Sequence, residues 1–220
     1  MHNKVVFRAA KAATQAGLPA LRFNFRGVGK SAGSFSDGIG ESQDVTAALD
    51  YLSVRFPAIP VCLIGFSFGA AVGLPVGARD PRVIALVGLG VPVGSRNMHY
   101  LQGVSKPKLI IQGTQDQFGS RAEVEAFFDS LAEPKQIHWV ENADHFFTGK
   151  LEEVQRVIRE FLRSGRVQVE ESRVESREVL ESSRVAATLL SRVAAPSVVS
   201  PLVRRAGRMH SRLMCAPPTD

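Results

Sequence analysis

The chain has 220 residues, 45% of them hydrophobic, and a formal net charge of +6. That is enough apolar material for one sizeable core, and no stretch reaches the roughly 18 apolar residues of a membrane span. Basic residues outnumber acidic ones by 18 to 15 through Gly165 and by 9 to 6 beyond it, too diffuse a balance for a nucleic-acid-binding surface.

Residues 3–16 place Val5, Val6, Ala9, Ala13 and Ala16 at helical spacing, with Asn3 as N-cap and Gly17-Leu18-Pro19 as the stop. ALRFNF, residues 20–25, reads as a strand, and RGVGKSAGSFSDG as a glycine- and serine-rich loop. A helix over 41–55 with Val45, Ala48, Leu49 and Leu52 inward is followed by the buried strand PVCLIGF. FGAAVGLPVGAR continues as a helix of small residues. VIALVGLGV and KLIIQG then read as strands, 121–131 as a helix, QIHWV as a strand and 151–162 as the last helix. Strands alternating with helices predict an α/β fold, a mostly parallel sheet covered on both faces. Beyond Gly165 the texture changes to repeated Glu-Ser-Arg units and a Pro-, Ser- and Arg-rich end, so the expected division is a core over 1–165 and a low-complexity, partly helical or disordered tail over 166–220.

Cys62 sits in an apolar run and Cys215 near the far end, which suggests no disulfide framework. With no signal-like apolar run at the start, the expected compartment is the cytoplasm. A transit-peptide reading competes, because basic residues but no acidic ones precede Asp37; the strand-like ALRFNF speaks against it.

The segment IGFSFGA holds Gly-x-Ser-x-Gly, with Ser67 between Gly65 and Gly69. A buried strand precedes it and a helix follows, so Ser67 lies on a strand-to-helix turn, where neighbouring side chains would collide. A serine hydroxyl needs a base, and the base needs an orienting carboxylate. Of five histidines, His2 and His210 lie near the termini, His99 falls in a loop and His138 within a strand. His145, in ENADHFF, follows the last strand, and Asp116, in IIQGTQDQF, follows the one before. Both fall at the C-terminal sheet edge that carries sites in parallel α/β folds. Serine, aspartate and histidine come in α/β-hydrolase order.

With these motifs, residues 1 to about 163 resemble the bacterial dienelactone-hydrolase-like branch of the α/β-hydrolase superfamily, in NKVVFRAAKA, LRFNFRGVGKSAGSF, GFSFGA and ADHFF. The resemblance implies that Ser67 is the nucleophile, His145 the base and Asp116 its orienting acid, with the Phe68 N–H as one oxyanion donor. No metal or cofactor is implied. Dienelactone hydrolase itself uses cysteine at the elbow, so its substrate does not transfer.

In relatives, about thirty residues holding three strands and an HPHP...GG loop precede the counterpart of MHNKVV. The resemblance therefore implies an N-terminally truncated fold in which the strand between ALRFNF and VCLIGF, and the second oxyanion donor, are missing. Pro75, inside the helix after Ser67, is expected to kink it.

RGVGKS invites a phosphate-loop reading, but the first glycine of GxxxxGKS would have to stand where Asn24 is. The expected activity is transfer of the acyl group of a small ester-like substrate to water. Only about fifteen residues join VIALVGLGV to KLIIQG, too few for a cap domain. The competing expectation is a non-catalytic binding module, or a fragment, that keeps hydrolase architecture.

Overall fold

A computed structural model describes residues 3–57 and 59–164; the tail over 166–220, with His210 and Cys215, and His2 lie outside the described residues. The elements in order are α1 (Lys4–Gln15), α2 (Ile39–Arg55), β1 (Val61–Phe66), α3 (Phe68–Arg79), β2 (Val83–Leu89), β3 (Lys108–Gly113), α4 (Arg121–Asp129), β4 (Lys135–Val140) and α5 (Leu151–Arg163). The four strands form one parallel sheet in the order β1-β2-β3-β4.

Burial explains the layering. β1 and β3 are buried at every position, as sheet strands covered on both faces must be. Cys62, Ile64 and Phe66 join Val5, Ala9 and Ala13 of α1 and Val154, Ile158 and Phe161 of α5 in one cluster. Val61 and Leu63 face the other way, toward Leu49 of α2, Leu74 of α3 and Val124 of α4. A bulge opposite Val61 and Cys62 inserts Ile84, so Val83 and Leu86, three residues apart, share a face. α1 is capped as expected, the Asn3 Oδ1 accepting from the Val6 N–H at 3.2 Å. No described helix is long and apolar enough to cross a membrane.

One expected strand is absent. Residues 20–25 take no ladder assignment, and β1 pairs only with β2 among the described residues. The alternation that suggests a strand is nonetheless present: Leu21, Phe23 and Phe25 pack with the α2–α3 cluster while Ala20 packs with the α1–α5 cluster. Two-sided burial is thus satisfied by side chains alone, whereas a strand also needs a neighbour to take its N–H and C=O groups.

α3 runs through Pro75 without ending. Proline's missing N–H leaves the carbonyl four residues earlier, that of Ala71, without its helical donor. The Tyr100 hydroxyl lies 3.4 Å from that oxygen, on the short 3₁₀ turn His99–Leu101.

The loop between residues 26 and 38 is tied down at both ends. The Arg26 guanidinium meets Asp44 at 2.8 and 3.1 Å. The buried Glu41 carboxylate accepts from the N–H groups of Ser36 at 2.9 Å and Gly38 at 2.8 Å and from the Ser36 hydroxyl at 3.0 Å. Burial alone would raise the Glu41 pKa; those hydrogen bonds outweigh it and hold the carboxyl below the ordinary range.

Candidate active site

β1 ends at Phe66 and α3 begins at Phe68, leaving Ser67 on the sharp turn between them with φ 54° and ψ −122°. A left-handed φ at a serine costs about 1–3 kcal/mol and persists only where its surroundings impose it. They do so here. The Ser67 N–H still donates to the Leu89 carbonyl of β2 at 2.9 Å, and a Cβ on Gly65 would stand 2.6 Å from both the Ala70 Cα and the Gly69 carbonyl oxygen. The turn closes only because position 65 has no side chain. Phe68 opens α3, one residue after Ser67, so its N–H is among the first donors of the helix, which have no partner within it.

The three expected residues converge. His145 Nε2 lies 2.8 Å from the Ser67 Oγ, and its Nδ1 lies 2.8 Å from the Asp116 Oδ2. His145 and Asp116 are buried, while Ser67 is partly exposed. His99 and His138 are engaged elsewhere, with Gln102 at 3.0 Å and Glu153 at 2.9 Å.

Several residues that place this chain of contacts stand out only in three dimensions. The Asp116 Oδ1 accepts from the Phe118 N–H at 2.8 Å, and its Oδ2 accepts a second bond, from the Gln112 Nε2 at 2.9 Å. The Asp144 carboxylate accepts from the N–H groups of Phe146 and Thr148 and from the Thr148 hydroxyl, which pins the turn presenting His145. The bond from the Thr148 N–H leads the contacts that hold the Asp144 carboxyl below its usual range. Gly113 passes against the Ala143 carbonyl so closely that a Cβ would overlap it. The sequence signals are faint: Gln112 is a polar residue at the end of an apolar strand, and Gly113 a glycine in the same place.

Phe66, Phe118 and Phe146 surround the imidazole with ring centroids 5.0, 4.6 and 5.3 Å away. Across the turn, Phe35 packs on Phe68 at 5.5 Å, and the Arg96 guanidinium, paired with Asp37 at 2.6 Å, lies 5.4 Å from the same ring. The site is walled by aromatic side chains on both flanks. Cys62 is buried in β1 and its thiol is pushed up to about 12 by that burial, which keeps it protonated and unreactive.

A family model described as an alpha/beta hydrolase domain matches residues 1–158. The chain belongs to the α/β-hydrolase family. Among solved structures, this hydrolase is similar to an α/β serine hydrolase homologue from Coxiella burnetii, 37% identical with a TM-score of 0.69 over 74% of this chain and 77% of that one. It is also similar to a Xanthomonas campestris protein described as an α/β serine hydrolase without lid, 34% identical with a TM-score of 0.68 over 74% of each chain. An uncharacterized protein of Rickettsia prowazekii is 36% identical over 172 residues, 74% of this chain and 72% of its own.

Proposed function

We propose that this α/β hydrolase is a serine esterase of the dienelactone-hydrolase-like branch, acting on a small ester-like acyl substrate through Ser67, His145 and Asp116. The observation that carries the reading is the unbroken line of 2.8 Å contacts from the Ser67 Oγ through the His145 ring to the Asp116 carboxylate. His145 Nε2 takes the hydroxyl proton as Oγ attacks the carbonyl carbon, and Asp116 stabilises the imidazolium at Nδ1. The developing oxyanion is met by the Phe68 N–H at the start of α3, where the helix dipole also favours negative charge. Collapse expels the alcohol, which takes its proton from His145. Water, activated by the same histidine, then releases the acid and regenerates Ser67.

Substrate size is inferred from what lies over Ser67. The described connection between β2 and β3 contains one 3₁₀ turn and no further element, so an open mouth lined by phenylalanines suits a short or exposed acyl group. Hydrolysis of p-nitrophenyl acetate, with Ser67→Ala as control, tests the reading. Turnover in the parent that Ser67→Ala abolishes is expected; equal turnover in both contradicts it.

One observation favours a second reading, a binding module that keeps hydrolase architecture: β1, which delivers Ser67, is hydrogen-bonded along one edge only among the described residues. A loosely held nucleophile strand would bind acyl compounds without turning them over. Binding of an ester with unchanged ester on recovery would identify that case.

A further inference from the structure

Gln112 is fully buried at the end of β3, and both ends of its amide are used. Its Oε1 accepts from the Val91 N–H at 2.7 Å, and its Nε2 donates to the Asp116 Oδ2 at 2.9 Å. Only one orientation satisfies both contacts, because a backbone N–H can only donate and a carboxylate can only accept. The amide therefore spans from the chain just after β2 to the acid just after β3.

Those two places are the ones that fix the His145 ring. Residue 90, next to Val91, is a glycine with φ +52° lying against the ring, such that a Cβ there would stand 3.2 Å from both Cε1 and Nδ1. Asp116 holds Nδ1 from the other direction. The oxygen that receives the histidine is also the oxygen that receives Gln112. Each donor on that oxygen draws on the same charge, so the amide weakens the hold of the carboxylate on an imidazolium while keeping the carboxylate aimed.

We propose that Gln112 is a positioning residue for the esterase reading above: it locks Asp116 to the Gly90–Val91 segment and sets how strongly Asp116 favours the protonated form of His145. It acts through Asp116 and touches no substrate. The ionised group that bonds His145 is Asp116, and Asp144 stands one residue before it. The other groups around the ring, Ser67 and Phe66 from β1 and its turn, Gly90 after β2, Phe118 after β3, and Phe146, carry no charge.

The test is an NMR titration of the His145 Cε1 proton in the parent chain and in Gln112→Met, which fills similar space without a donor. The midpoint is expected to move to higher pH by about half a unit to one unit, a threefold to tenfold gain in proton affinity. In ester hydrolysis the acid limb should move by the same amount, with kcat reduced and KM unchanged. An unmoved midpoint in a folded variant would overturn the proposal. If Gln112→Met does not fold, the parent decides. Its Gln112 side-chain amide protons should be protected from exchange and shift as His145 titrates, and exchange as fast as that of the exposed Gln115 and Gln117 would overturn it. Because the titration needs no turnover, failure of the esterase reading would appear separately, as a titrating histidine without hydrolysis.

Discussion

Gly90 lies against His145, with the space for a Cβ only 3.2 Å from both the Cε1 and Nδ1 of the imidazole. A methyl there would push the ring off the line joining Ser67 to Asp116 and would also be strained at φ +52°. Gly90→Ala is expected to lower kcat by at least about tenfold and stability by about 1–2 kcal/mol. Ester kinetics and urea denaturation check both; unchanged kcat would mean that the ring is not held from this side.

Gly65→Ala should be worse for the fold than Gly90→Ala. Its methyl would meet backbone of α3 at 2.6 Å, and backbone cannot yield as a side-chain tip can. Thermal melting is expected to show the larger loss at position 65, with the Ser67 turn opened. Equal melting temperatures would contradict the account of the elbow.

Tyr100→Phe removes the contact that answers Pro75, together with the hydroxyl's 3.2 Å contact to the Met98 Sδ. Removing the hydroxyl leaves the Ala71 carbonyl without that donor, and a loss of about 1 kcal/mol is expected in urea unfolding. Replacing Pro75 by alanine in the same chain should cancel much of that loss, since the helix would then supply its own N–H.

Glu41 gives a pH-dependent stability. Its folded-state pKa is held low, so its contribution is complete above the ordinary glutamate value of about 4.3 and is lost as pH falls through the lower folded value. Glu41→Gln is expected to destabilise the chain by about 1–3 kcal/mol at neutral pH, with the difference narrowing below about pH 4. A difference that does not vary with pH would show that the loop is held by something other than the charge.

Among the described residues β1 is paired along one edge only, and its amides divide residue by residue. The Val61 and Ser67 N–H groups point to β2, bonding Arg82 and Leu89, so alternation directs those of Leu63 and Gly65 the same way and those of Cys62, Ile64 and Phe66 outward. Amide exchange at Cys62, Ile64 and Phe66 should be faster than at Leu63 and Gly65. Uniform protection along β1 would show that the outer edge is covered.

Much of this was legible in the sequence because periodicity and order carry it. α1 and α5 announce themselves by single apolar stripes, and Ser67, Asp116 and His145 each follow a strand. ALRFNF misleads because alternation reports two-sided burial and says nothing about a ladder partner. Gln112 and Gly90 were not legible as parts of the site: their roles come from the approach of β2 to β3, which no local pattern encodes. The Tyr100 contact is hidden for the same reason, since it joins a helix to a turn 29 positions away.

The central claim is that Ser67 is a nucleophile activated by His145, and the most direct test is covalent labelling by a fluorophosphonate, read by intact mass and peptide mapping. Because labelling needs one attack and no turnover, even a slow enzyme gives a clear answer. One adduct per chain, mapped to Ser67, lost in Ser67→Ala and slowed by at least about a hundredfold in His145→Ala, is the expected result. No adduct on the folded parent, or an adduct that survives Ser67→Ala, would contradict the account.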